Sequence, residues 1–367
     1  MKDTHEFAGG PGEYSHKPKQ VSDPVKAAGK RVSIFEVAKH AECSITSVSN
    51  VLNNKGRVSK EKRRSVLQAV SALGYRVNSV GRNLRMRRTE TLGLLFYPSC
   101  AEIFRNPFYA EVMEGFEERL MKTSYHLLLA GYNASTIASG VPDFLNRGKV
   151  DGMILLGSFP EEVVQNFHGW KVPLLLLDSN VEGPVDSVVS DGFSGGQQMV
   201  RHLVEHGHRR IVMMAYPEET YNINLRIEGF FAGLREKGLS QKGAVIRTAF
   251  SHDDLYADLK ERLEGVEPPT ALAAVNDTLA LAMIQRLTRD GISVPQQLSI
   301  VGYNDDQIAA DTVPSLSTIR VDKKALGRAG VDLILNRIDG THRMVTKLRM
   351  PVGLVERDSV RTWPSSL

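Results

Sequence analysis

SIFEVAKHAECSITSVSNVLN, residues 33–53, decides how the rest of the chain is read. Its apolar residues Ile34, Val37, Ala38 and Ala41, then Val48, Val51 and Leu52, recur at spacings of three and four, so two short helices each bury one face. Glu42 and Cys43 leave only a tight turn between them, and Ser44 stands at the N-cap of the second helix. A third helix is predicted from Lys60 to Leu73, capped by Ser59, with Val66, Val70 and Leu73 inward and Gly74 as terminator. The outer face of the second helix is then free to enter a groove. Residues 31–88 carry 13 Lys/Arg against 3 Asp/Glu, a charge of +10; residues 1–30 add +1 and everything after Arg88 carries −7. A basic run alone reads as a solvated face, but here it coincides with a helix-turn-helix pattern. A basic head on an acidic body is expected when only the head meets a polyanion, and double-stranded DNA is the partner this implies.

A chain of 367 residues with 42% hydrophobic content has material for two or three domains. The two cysteines, Cys43 and Cys100, suggest neither a disulfide framework nor a metal site, which fits a reducing cytoplasm. Residues 1–30 are rich in Gly, Pro, Lys and His and are expected to form a disordered extension. They contain no signal-peptide run, and nowhere do 18 uncharged apolar residues follow one another, so a cytoplasmic, non-membrane protein is expected. Between head and body, VNSVGRNLRMRR (77–88) offers Asn78 as cap of a short helix, and Gly81 lowers its stability by about 1 kcal/mol relative to Ala. It is predicted to fold only when bound.

Beyond Thr89, short apolar runs alternate with amphipathic helices. TLGLLFY, HLLLAGY, DGMILLG and VPLLLLD are followed, after Val189, by RIVMMA, ALAAV and LSIVGY, with helices expected over 109–121, 194–206, 226–237, 254–264 and 277–290. Two successive βα arrays imply two doubly wound lobes. Ligands in such sheets sit beyond the carboxyl ends of the strands, which singles out Asp178, Asn276, Asp277, Asn304 and Asp305. A cleft between the lobes would collect them.

The ordered set of the head SIFEVAKHAECSITSVSNVLNN, RVSKEKRRSVLQAVSALGYRVN, NPFYAEVMEGFE, KVDGMILL, HLVEHGHRRIVMM, RIEGFFAGL, AVNDTLALAMI, ISVPQQLSIVGYND and PSLSTIRVD resembles the lactose repressor (LacI/GalR) family of bacterial transcription regulators over Arg31 to Asp358. The resemblance implies a homodimer on a roughly palindromic operator and an all-α helix-turn-helix head on an α/β, two-lobed, periplasmic-binding-protein-like core of doubly wound parallel sheets. It implies, in order, a head over 31–76, a hinge helix and linker over 77–89, a core over 90–358 and a tail over 359–367. The first lobe would comprise about 90–189 and 319–348, the second about 190–318 and 349–358.

Carried over, the base-reading residues are Ile45, Thr46 and Asn50, with phosphate contacts from Ser49, Asn53, Arg57 and Tyr75. Asn50 stands where the family usually has Arg; Arg takes guanine bidentately, whereas Asn suits adenine. Glu42 replaces a turn Gly and implies strain if its φ is positive. In the hinge, Leu84 is the minor-groove wedge, with Asn78 and Arg82, while Val77 and Gly81 replace a Pro and an Ala. The effector positions are Phe108, Tyr109, Asp178, Asn222, Arg226, Phe250, Asn276 and Asn304. An Asp, an Arg and two Asn can fork onto adjacent hydroxyls, and Phe250 and Tyr109 offer flat walls to a sugar ring. Asn304 replaces a common Asp; with Arg226 retained, a neutral sugar or a sugar acid is expected over a cationic ligand.

Other readings are weaker. His202 and His206 share a helix face with His208 nearby, but EHGHRRI reads as a helix end passing into a strand, so no metal and no cofactor is expected. Asp305 and Asp306 read as loop residues rather than an acid/base pair, because no nucleophile is positioned beside them. No Gly-rich phosphate loop follows any strand, against a nucleotide-dependent enzyme, and the head argues against a solute receptor. No heptad tail follows RMPVGLVERDSV, so a dimer is expected rather than a zipper-linked tetramer.

Overall fold

A computed structural model of the chain describes residues 32–52, 56, 58–75, 88–97, 105–132, 148–168, 172–248 and 251–364. The chain divides into two compact units, residues 1–85 and 86–367.

In the first unit α1 (Ile34–His40), α2 (Ile45–Leu52) and α3 (Lys60–Leu73) enclose a small core of Val37, Ala38, Val48, Val51, Val66 and Ala69. Each start is locally encoded. Ser33 and Glu36 form a capping box on α1, Ser44 Oγ accepts from Ser47 N at 3.1 Å, and Ser59 Oγ accepts from Lys62 N. Gly74 closes α3 at φ 60°, as its position predicts. The turn between α1 and α2 is tight because Cys43 N donates to Ala38 O at 3.0 Å, and this bends Glu42 to φ 47°. A side chain there costs about 1–2 kcal/mol relative to ordinary backbone, so the strain expected from the missing glycine is present.

The second unit is built on two sheets. The first has the order β11-β5-β4-β3-β1-β2, from β1 (Thr91–Phe96), β2 (His126–Gly131), β3 (Gly152–Leu156), β4 (Leu174–Leu177), β5 (Asp186–Ser190) and β11 (Lys347–Met350). The second has the order β12-β10-β9-β8-β6-β7, from β6 (Ile211–Met214), β7 (Val245–Ile246), β8 (Ala271–Ala274), β9 (Ser299–Asn304), β10 (Ser317–Val321) and β12 (Val352–Val355). All described pairings are parallel except β10 with β12, so the doubly wound parallel sheets expected from the sequence are present, with one antiparallel edge strand added to the second. Helices α4 (Pro107–Leu120), α5 (Glu161–His168) and α11 (Lys323–Ile338) cover the first sheet. Those of the second are α6 (Gly192–Glu205), α7 (Tyr221–Glu236), α8 (His252–Leu263), α9 (Asp277–Arg289) and the short α10 (Ile308–Asp311).

One helix pair in each lobe packs backbone to backbone. A Cβ on Gly196 of α6 would lie 2.3 Å from Arg226 O of α7, and one on Gly327 of α11 would lie 2.3 Å from Val112 O of α4. Only glycine permits approaches this close.

The chain crosses between lobes three times, after Ser190, Val321 and Met350. Asp191 and Asp322 start the next helices, accepting from Ser194 N at 3.1 Å and Ala325 N at 2.8 Å, while Asp191 N donates to Met350 O at 2.8 Å. The expected lobe limits at 318 and 348 therefore move to 321 and 350, because β10 and β11 continue their own sheets that far. The expected linker through 89 also ends sooner: Arg88 pairs with Asp339, and Thr89 and Glu90 donate to the Asp151 carboxylate. The tail expected from 359 is instead packed in the second lobe. Ser359 is fully buried, its Oγ donating to Ile300 O at 2.6 Å, and Trp363 N donates to His206 O at 2.7 Å.

Candidate functional site

On α2 the first-turn residues Ile45 and Thr46 are exposed, while Ser49 and Asn50 are half-buried one turn on. Tyr75 packs its ring against the head core instead of standing free. The helix presents uncharged groups suited to base edges, and the head's described cations lie largely on α3, where Lys60, Lys62 and Arg64 are exposed. Asn53, Arg57, Asn78, Arg82, Leu84 and Phe250, with Val77, Gly81 and Cys100, lie outside the described residues.

Seven of the eight effector positions named from the sequence fall in the described residues, and all seven line one cavity of about 170 Å3 between the lobes. From the first lobe come Phe108 and Tyr109, at the start of α4, and Asp178, just past β4. Asn222 and Arg226 on α7, Asn276 past β8 and Asn304 at the end of β9 come from the second. Asn106, aided by Pro107, sets the start of α4 by accepting from Phe108 N at 3.0 Å. Thr220 starts α7 five residues earlier than the periodicity predicts, which brings Asn222 into the cleft.

Asn222 Nδ2 donates across the cleft to Asp178 Oδ1 at 2.7 Å and to its carbonyl at 2.8 Å, and Tyr109 Oη donates to Asp178 Oδ2 at 3.2 Å. Burial pushes the Asp178 carboxyl up to about 6, against the opposing pull of Arg226, Tyr109 and Asn222. Arg226 is buried, stacks 3.8 Å from the Tyr303 ring centroid, and donates to Val275 O at 2.6 Å and Asn304 Oδ1 at 3.3 Å. Asn222 Oδ1 and Arg226 Nε remain buried without a hydrogen-bond partner. Asn276 spends its Oδ1 on Leu279 N, capping α9, and Asn304 holds φ 119°. A wider chamber of about 840 Å3 adjoins the cavity, lined by Tyr97, Phe159, Glu161, Glu182, Glu218 and Glu219.

Asp277 and Asp305, singled out by their places after strands, do not line this cavity. Asp277 is fully buried beneath it, accepting from Thr318 Oγ1 and Asp306 N, and burial pushes it up to about 6. Asp305 pairs with Arg320 and Arg357 at 2.6 Å each. Sequence reading missed Lys323, which leads α11 out of the second crossing. It is 2% exposed and joins Asp306 of one lobe at 3.2 Å to Glu111 of the other at 2.8 Å. Only the strand-to-helix step at Val321 and Asp322 could have signalled it. Tyr303, the platform under Arg226, was hidden within an apolar strand.

A helix-turn-helix head joined to a two-lobed α/β body with a polar cleft defines a DNA-binding transcription regulator. The model for bacterial regulatory proteins of the lacI family matches residues 33–78, and the periplasmic binding protein-like domain matches residues 200–360. The HTH-type transcriptional repressor PurR of Haemophilus influenzae strain PittEE is 30% identical over 339 residues, which is 90% of this chain and 99% of that protein. A LacI-family regulator of Enterococcus faecium solved with bound ribose is 29% identical, with a TM-score of 0.64 over 75% of this chain and 100% of that one. The lac repressor dimer bound to operator and the anti-inducer ONPF shares the fold, with a TM-score of 0.76 at 24% identity over 90% and 100% of the two chains. The chain belongs to the lacI family of bacterial regulatory proteins; it is a transcription regulator and not an enzyme. No helix among the described residues is long and apolar enough to cross a membrane.

Proposed function

We propose that this protein is a cytoplasmic repressor that binds a roughly palindromic operator as a homodimer, its affinity set by a small sugar or sugar derivative held between the lobes. Ile45, Thr46 and Asn50 read bases, Ser49, Asn53, Arg57 and Tyr75 hold phosphates, and Asn78, Arg82 and Leu84 act in the hinge.

The bond from Asn222 to Asp178 carries the effector reading. It joins the lobes across a cavity in which Asn222 Oδ1 and Arg226 Nε have no partner. A polyol can satisfy both, one hydroxyl donating to Asn222 Oδ1 and another accepting from Arg226 Nε, while Tyr109 and Phe108 offer apolar faces. The ribose bound by the Enterococcus faecium relative supports the sugar class. Among the described residues, Asp178 and four glutamates line the cavity and its outer chamber against one cation, Arg226, which favours a neutral sugar over a sugar acid.

The test is a gel shift with DNA from around the protein's own gene at rising salt, run beside thermal melts across a panel of neutral and acidic sugars. A sequence-preferring complex at moderate salt is expected, together with a neutral sugar that raises the melting temperature and changes operator affinity. No preference over unrelated DNA overturns the operator reading, and a panel in which only acidic or non-sugar ligands act overturns the effector class.

A further inference from the structure

In sequence, His202 and His206 stand one helical turn apart, and the carboxylate between them, Glu205, is exposed and does not converge with the two imidazoles. The fold brings in another. Glu356 follows directly on β12, which packs along α6, and its side chain reaches the C-terminal turn of that helix. One nitrogen from each imidazole and one oxygen of Glu356 lie within 4.8 Å of one another. His206 Nε2 stands 3.3 Å from Glu356 Oε1, about the edge of a tetrahedron whose metal bonds are ~2.0 Å long.

The protons are arranged to suit a metal. His206 Nδ1 lies 2.9 Å from the His202 carbonyl, which can only accept, so the proton sits on Nδ1 and the Nε2 lone pair faces the trio. His202 is 2% exposed, and its Nε2 has no hydrogen-bond partner although it is buried. A buried ring nitrogen left unpaired is a standing cost, and it belongs to one of the three grouped side chains. His208 is excluded, since its two ring nitrogens are bonded to Thr270 Oγ1 at 2.9 Å and Arg361 O at 3.1 Å. The side chain of Glu356 is 60% exposed, so the trio opens to solvent on one side.

We propose that His202, His206 and Glu356 form a divalent transition-metal site on the second lobe, best suited to Zn2+, with a fourth position taken by water. Two imidazoles and one carboxylate are a borderline donor set that favours zinc over magnesium or calcium, which prefer oxygen ligands. The metal ties the exit of β12 to the end of α6. The opposite end of that helix begins beside Tyr303 and the Arg226 stacked on it, and Arg226 lines the cleft.

The rival arrangement is a direct His206 to Glu356 ion pair with no metal. Full-length protein stripped with EDTA is titrated with Zn2+ by equilibrium dialysis and metal analysis, beside Glu356→Gln and the double variant His202→Ala/His206→Ala. The double variant corrects for uptake by other histidines, such as His5 and His16. One Zn2+ per chain is expected, bound at least 100-fold tighter than in the double variant and at least 10-fold tighter than in Glu356→Gln, with a metal-dependent rise in melting temperature in the wild type alone. Co2+ in place of Zn2+ should give the visible bands of a four-coordinate site. Uptake by the wild type no greater than by the double variant overturns the proposal. So does a Glu356→Gln variant that binds as tightly as the wild type; because Glu356 is exposed, that variant decides the matter even if the double variant fails to fold.

Discussion

Helix α2 carries its candidate base-reading groups on the outer face of one short element, whereas the cleft assembles its polar groups from the ends of separate strands and helices in both lobes. On α2 the scaffold is the small apolar core beneath, and Ile45, Thr46 and Asn50 can change without undoing it. In the cleft the functional groups are also each other's scaffold: Asp178 orients Asn222, Asn304 bonds Arg226, and Tyr303 supports Arg226. Substitutions in the head should therefore act singly on specificity, while those in the body should spread through coupled partners.

The strongest way to break that contrast is at the junction of the lobes. Lys323→Met leaves Asp306 buried without its cation and should destabilise the protein by about 3–5 kcal/mol in urea unfolding. A loss below 1 kcal/mol would mean that the lobes do not depend on this bridge. Next is Asn50→Arg, which should shift half-site preference toward guanine by ~1–3 kcal/mol in competition binding while leaving the melting temperature within a degree or two. An unchanged preference would show that the outer face of α2 does not read bases.

The third prediction concerns pH. Burial raises Asp178 above its ordinary value of 3.8 to about 6, so the folded protein takes up a proton between those values, and the ionised carboxylate lowers stability above about pH 6. The effector, if it uses the carboxylate as an acceptor, should bind about tenfold more weakly at pH 5 than at pH 7, and Asp178→Asn should flatten that profile. A wild-type affinity independent of pH over this range would remove Asp178 from the contact. The smallest effect belongs to the head: Glu42→Gly should stabilise it by about 1 kcal/mol by relieving the φ 47° turn, read by chemical denaturation.

Legibility followed the same division. The head's third helix has the limits that Ser59 and Gly74 predict, because caps are local chemistry. Seven of the body's twelve described strands were visible as apolar runs, whereas β7, β10, β11, β12 and the fully buried β5 were not. The DSVVS of β5 buries Asp186, Ser187 and Ser190; Asp186 is satisfied by the distant Arg337, and Ser187 donates to Asn180 in the preceding loop. The helix over 323–338 was also missed, since Gly327 and Gly330 interrupt its pattern for the sake of close packing. Asp178, Asn276 and Asn304 were legible from their places after strands, whereas Phe108, Tyr109, Asn222 and Arg226 were reached only through family resemblance. Tyr303 and Glu356 carried no local signal, and Lys323 only the strand-to-helix step before it, since their importance arises only when strands far apart in sequence meet.

The triple crossing restricts how the two lobes can move. A single connection would let them swing and twist freely, and two would define an axis with some play. Three tethers at Asp191, Asp322 and Pro351, two of them joined by the bond from Asp191 to Met350, favour opening and closing over free swinging and twisting. Work done in the cleft is thereby channelled mainly into one mechanical coordinate.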